Sequence, residues 1–170
     1  IVSDRPAGSS ARVRAYSHLL GSCGVTVFAS NKLAAKLKPN FPKSLDGMPF
    51  LAPLDGSALR RALDDWFRSK NIRPTLCGEF QDSALAKVFG EAGVGFFIAP
   101  TAIEDEVIHT FHVTAVGRIE EVQEKFYAIS AERKFRHPAV LAIYQKARTE
   151  LFGNTGGARP ASRILTEENR

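Results

Sequence analysis

Few residues in this sequence are spaced for chemistry. His109-Thr-Phe-His112 has the spacing at which two imidazoles on one helix share a metal. The pair falls at a predicted helix end with no third ligand in register, so it reads as surface. Gly90-Glu-Ala-Gly-Val-Gly95 has the glycine content of a dinucleotide loop. There the glycines must follow a strand and open a helix, whereas here they follow a helix and open a strand. No Gly-x-Ser-x-Gly elbow occurs, and neither Cys23 nor Cys77 has a basic or histidine neighbour that would make it a thiolate. The apolar surroundings of both cysteines predict a reduced, buried pair. Arg133-Lys-Phe-Arg136 reads as a solvated turn. No catalytic residue and no cofactor is expected, and an α/β enzyme fragment finds no support.

The elements that would hold any site centre on residues 79–100. Leu85, Val88 and Phe89 fall at i, i+3, i+4, one face of a short helix. Asp82 or Ser83 is placed to cap it, and Gly90 and Gly93 offer the positive φ of a helix exit. Val94 to Ala99 is apolar throughout, as a strand buried on both faces is. Thr101-Ala-Ile-Glu104 has the form of a capping box opening another helix. A strand end beside a helix start is where open α/β sheets place ligands.

The remaining pattern extends this. Residues 1–4 read as a strand end and a turn, 7–19 as a loop, and 25–29 as a β-branched strand. Residues 31–43 read as a helical turn and surface loop, and 49–53 as a proline-bounded strand. Ser57 is a plausible N-cap for a helix whose Leu59, Leu63, Trp66 and Phe67 share a face. Asn71 and Pro74 stop it before a strand at 75–80. Strands at 113–116 and 125–131 are expected around a charged turn at 118–124. His137-Pro138 starts a last helix, with Val140, Leu141, Tyr144, Ala147 and Leu151 as its buried face and Gly153 as its stop. Residues 153–170 are Gly-rich and aperiodic, as a disordered tail is. Strands alternating with helices predict an α/β fold with a mainly parallel sheet, helices on both faces.

The 170 residues suffice for a sizeable core. The net charge of +5 is spread along the chain and marks no nucleic-acid surface. No apolar run reaches membrane-span length, and no signal-peptide pattern is present. The first residue is Ile, and Ile1-Val2 reads as a strand already under way, so a piece of a longer chain is expected.

Phe50-Leu-Ala-Pro53, the turn and helix from residue 57 to 67, the 79–100 unit, Phe126-Tyr-Ala-Ile-Ser130 and Arg136-His-Pro-Ala-Val140 resemble the C-terminal part of LysR-type transcriptional regulators. The likeness runs in order from about residue 1 to about residue 152. Gly78-Glu-Phe-Gln-Asp-Ser-Ala-Leu85, Phe96-Phe-Ile-Ala-Pro-Thr101, Val116-Gly-Arg-Ile-Glu-Glu-Val122 and Ala131-Glu-Arg133 are similar to sodium-responsive members that activate Na⁺/H⁺ antiporter genes.

The resemblance implies a two-lobed effector domain like the type 2 periplasmic binding proteins. Lobe I would be incomplete, built from residues 1–22 and 125–152, and lobe II would be residues 23–124. DNA would be bound by a helix-turn-helix upstream, not by this fragment. The implied protein is a cytoplasmic homo-dimer or homo-tetramer with no membrane contact. Its effector would lie between the lobes, against Ser57, Ala58 and Leu59, against Ser3 and Asp4, and against Asp82 and Ser83. Free amides and the helix dipole attract anions at such helix starts, although capping alone also explains Ser57 and Ser83. For a sodium sensor, Asp4 and Asp82, with Asp55, would supply the hard oxygen ligands that an alkali ion takes. Capping by Asp82 and a turn at Asp4 explain the same residues, and these acids would repel anionic effectors. Two alternatives share the architecture: a transporter's solute-binding protein, and a LysR-type regulator of a small organic effector.

Overall fold

The computed structural model describes residues 2–3, 15–131 and 137–153. Asp4, the basic cluster at 133–136 and the tail at 154–170 lie outside them.

One long antiparallel ribbon carries the rest. β2 (Tyr16–Ser30) pairs with β6 (Val113–Ser130), from Tyr16 opposite Ser130 to Ser30 opposite Val113. This corrects two expectations. Residues 16–19 are strand rather than loop, and 113–130 is one strand rather than two around a charged turn. Register slips between Leu19 and Gly21, Cys23 and Val25, and Val27 and Phe28 explain the difference. Each bulge shifts the alternation of faces. The buried residues of β6 therefore recur at Val113, Val116, Ile119 and Val122, every third position, with Glu120 and Glu121 between them. That pattern imitates a turn.

β1 (Val2–Ser3) extends the sheet beside β6, and β5 (Phe97–Pro100) pairs antiparallel with the other side of β2. The parallel part is small. β3 (Pro49–Pro53) and β4 (Thr75–Phe80) pair in parallel, and a bridge from Phe50 to Phe96 joins them to the β5 side. The mainly parallel sheet is thus corrected too. β6 runs back along β2 in direct contact instead of crossing over through a helix.

Two apolar clusters flank this layer. One stacks Phe50 on Phe96 at 4.8 Å between ring centroids and gathers Val25, Val27, Leu63, Trp66 and Phe67. The other stacks Phe28 on Phe97 and includes Leu51, Val107 and Val113. α1 (Asn31–Leu37) contributes Ala34 and Leu37 to the first cluster. The predicted face of α2 (Ala58–Ser69) holds: Leu63, Trp66 and Phe67 are buried and Leu59 packs against them. Asn71 follows at φ 52 and ends the helix.

Two other predicted faces are exposed. In α3 (Ser83–Glu91), Leu85, Val88 and Phe89 are 52%, 51% and 44% exposed, while Ala86 and Gly90 are buried. Gly93 has the expected positive φ of 82, but Gly90 lies within the helix. Its missing Cβ makes room for the ring of Phe97. In α5 (Pro138–Phe152), no residue is buried, and Val140, Leu141 and Leu151 face outward. The helix is held along one side only. The Tyr144 hydroxyl donates to the Leu19 carbonyl at 3.0 Å, and Phe152 packs on Gly21 and Phe126. The cysteines are free, but only Cys23 is buried, because Cys77 lies on the exposed edge strand β4.

The Thr101/Glu104 capping box is replaced by a longer-range network. A short turn at Thr101–Ile103 leads into α4 (Glu104–Phe111). The buried Thr26 hydroxyl lies 3.0 Å from that of Thr101 and donates to Glu104 Oε2 at 2.8 Å. Arg118 grips both oxygens of Glu104 at 2.9 and 3.1 Å. Arg118 chiefly, against the cost of burial, and then Thr26 hold the Glu104 carboxyl below the ordinary glutamate range. A lowered folded pKa stabilises the fold above the unfolded range, and this is lost as pH falls through the folded value. Arg118 is largely exposed, which limits the gain. Glu104→Gln is expected to cost about 1 kcal/mol at neutral pH. In urea unfolding, the gap to wild type should close in acid; a gap of constant size would show that the charge contributes nothing.

Candidate functional site

The C-terminal ends of β3 and β4 open onto a cavity of about 320 Å³. β3 lines it with Leu51, Ala52 and Pro53, and the start of α2 with Ser57 and Leu59. Phe80 and Gln81 come from the end of β4, Ser83 and Ala86 from α3, Ile98 from β5 and Glu124 from β6. The volume is in the range of small-molecule sites, as is the mix of apolar walls and a few convergent polar groups.

Local chemistry sets this geometry. Ser57 is extended and its hydroxyl accepts from the Arg60 amide at 3.1 Å, the expected N-cap. Asp82 caps α3 by accepting from the Ala84 amide at 2.8 Å, which leaves Ser83 as the first helical residue. Arg60 clamps the rim, bonding Asp64 at 3.1 Å, Glu79 at 2.7 Å and the Pro53 carbonyl at 3.2 Å. Burial opposes its charge, but the bonds to Glu79 and Asp64 outweigh that and raise its pKa. The Leu54 amide donates to the Phe80 carbonyl at 3.0 Å, so both loop mouths are fixed to each other.

Of the residues proposed from sequence, Ser57, Leu59 and Ser83 meet on this cavity. Ala58 and Asp82 are exposed beside it and are not among its lining residues. Asp55 turns back to the Gly56 amide at 2.8 Å. Ser3 lies in β1 opposite Tyr127, and Asp4 is outside the described residues. Gln81 and Glu124 were missed. Gln81 directly precedes the cap and was within reach of the pattern; Glu124 was hidden in the apparent turn of β6.

Other groups carry less chemistry. Burial pushes the Cys23 thiol up against the backbone of Ala102 and Thr101, and the Glu124 and Glu120 charges add to the rise, so it rests as a thiol. His109 sits 2.6 Å from the Asp105 carbonyl and His112 sits 3.0 Å from Glu91. No cluster of three or more metal-ligating residues occurs among the described residues. A larger hollow of about 440 Å³ at the C-terminal end of α2 is lined by Asp64, Phe67, Arg68, Asn71, Ile72, Arg73 and Pro74. It meets neither strand ends nor helix starts, so the smaller cavity is the better ligand site.

A cavity at strand ends with helix starts around it is where α/β domains place small ligands. Residues 6–151 match the LysR substrate binding domain, and the chain belongs to that family. It is 36% identical to the transcriptional activator protein NhaR of Escherichia coli (strain K12) over 152 residues, 89% of this chain and 50% of that protein. The chain therefore spans about half the length of the curated relatives it matches. The regulatory domain of Synechocystis PCC6803 CcmR, in complex with 2-PG, aligns with a TM-score of 0.60 at 12% identity, covering 90% of this chain and 73% of that one. The effector binding domain of QuiR, in complex with shikimate, aligns at 0.59 and 17% identity, covering 88% and 70%. The fold is that of LysR effector-binding domains, which are periplasmic-binding-protein-like and two-lobed.

The caps separate the two serines. Ser57→Ala is expected to cost about 1 kcal/mol in urea unfolding, and Ser83→Ala only a few tenths, because Asp82 does the capping there. Equal losses would mean that Ser83 shares the capping of α3.

Proposed function

We propose that the chain is the effector-sensing part of a NhaR-like LysR-type regulator that responds to sodium or lithium and controls antiporter-type stress genes. The cavity at the β3 and β4 ends, facing the starts of α2 and α3, is the observation that supports an effector site here. In this reading residues 23–124 form lobe II, residues 1–22 and 125–152 contribute to lobe I, and β2 and β6 cross between them. The outward residues of α5 then meet the remainder of lobe I, which the half-length match to NhaR leaves to sequence outside this chain. DNA is contacted by an N-terminal domain of the whole regulator, in the cytoplasm, without catalysis. An effector acts only through unequal affinity for the open and closed arrangements.

Sodium would take Asp4 and Asp82 with backbone carbonyls. A second reading, a small organic effector, is supported by the walls of Leu51, Leu54, Leu59, Phe80 and Ile98, which suit an apolar body better than a bare ion. The test is thermal unfolding of the complete effector domain, followed by Trp66 fluorescence, in Na⁺, Li⁺ and K⁺ at equal ionic strength. A ligand at about 100 times its Kd adds roughly 2.7 kcal/mol. A higher Tm in Na⁺ and Li⁺ alone is expected for a cation sensor; equal Tm in all three would refute direct sodium binding and leave the organic reading.

The exposed Leu85, Val88 and Phe89 of α3 support homo-dimerisation through that face, since a contiguous apolar patch marks an interface. Val88→Lys should shift sedimentation toward the monomer while leaving the fold intact. Unchanged sedimentation would move the interface elsewhere.

A further inference from the structure

We infer that the cavity and the outer face of α3 are coupled through the Phe80–Phe89 ring pair, so that filling the cavity shifts self-association through that face. The inference deepens, and rests on, the readings of this cavity as the effector site and of the exposed face as an interface between two copies. One helix of nine residues serves both. Ser83 and Ala86 line the cavity, and Gly90 is buried on the same side of the helix. Leu85, Val88 and Phe89 are exposed on the other side. At 3.6 residues per turn these two sets point well apart. Cavity and outer face are thus separated by the width of one short helix.

The helix itself is well anchored. Gly90 puts no side chain between α3 and the Phe97 ring, which in turn stacks on Phe28 at 5.4 Å. Lys87 Nζ lies 5.6 Å from the centroid of the Phe111 ring, Glu91 meets His112 at 3.0 Å, and Asp82 caps the start. Groups packed in this way yield little. The Phe80 ring is the adjustable part. It lines the cavity and also lies 5.4 Å from the Phe89 ring, tilted by 48°. The Phe80 carbonyl is tied to the Leu54 amide, while Gly78, two residues back on the same face of β4, leaves the ring room that a Cβ would take. An occupant that displaces the Phe80 ring therefore reaches an outward residue of α3 in a single contact. Coupling of this kind is reciprocal: occupancy and self-association change each other's equilibrium by the same factor.

The test needs no ligand. Leu59→Trp fills the cavity from α2, and Ser83→Phe, at an exposed position on its rim, supplies a second filling that the fold tolerates. Sedimentation equilibrium of this chain should show either filling shifting the dimer Kd by about fivefold or more. In a Phe80→Leu or Phe89→Leu background, each compared with its own unfilled parent, the shift should vanish. Phe89→Tyr keeps the ring and should keep the shift. A dimer Kd that neither filling moves, or a shift that persists in both leucine backgrounds, would overturn the coupling. Failure of the underlying readings looks different. A wild type that sediments as a monomer at every concentration defeats the interface reading. A Tm rise in Na⁺ and Li⁺ that survives Leu59→Trp in the complete effector domain places the effector elsewhere and defeats the effector-site reading.

Discussion

The β2–β6 ladder is the interaction on which everything else depends. β5 hangs on one side of β2, β3 joins the β5 side through the Phe50–Phe96 bridge and the bonds of Pro49 and Leu51 to Phe96, and β4 pairs with β3. The wall of the cavity is a chain of such attachments: Ile98 from β5, Leu51 to Pro53 from β3, Phe80 and Gln81 from β4, and Glu124 from the ribbon itself. Its three register slips let one pair of strands bend, and pairing resumes beyond each slip. Between two slips, Val25 to Val27 bury completely, and the two valines serve the first core cluster.

Side chains then fix what the ladder leaves adjustable. Arg60 ties α2 to both parallel strands, and Thr26 with Arg118 ties the start of α4 to the ribbon through Glu104. Both are partly sheltered, charged arrangements, and such groups cost most when only one partner is removed. The cavity rim is therefore set before a ligand enters. Preorganisation of this kind lowers the ordering cost of binding.

Legibility from sequence followed the distance over which each feature is determined. Local features read correctly: the Ser57 cap, the apolar face of α2, the strand at 75–80, and Pro138 opening α5. Ser57, Leu59 and Ser83, which the family likeness and not the residue pattern singles out, line the cavity. Features decided by distant partners did not read. β2 and β6 are strands because they pair with each other, and bulges removed the period that would have announced them. Gly90 was assigned to a turn because its partner, Phe97, lies across a loop. The faces of α3 and α5 were legible as apolar, but periodicity reports only that a face is apolar, not what covers it. Glu124 disappeared with the misread strand that carries it.

The order of synthesis gives the ribbon another meaning. β2 emerges from the ribosome before β6, with α1 to α4 between them, so residues 23–29, all buried in the finished fold, wait without their main partner. An unpaired apolar strand is an aggregation hazard for as long as it waits. Ser30 and Val113 close the smallest loop in the ladder, so zipping from that end toward Tyr16 and Ser130 costs the least entropy. The ladder that organises the native state is thus among the last parts of it to form, and a chaperone bound to residues 23–29 would act in that interval.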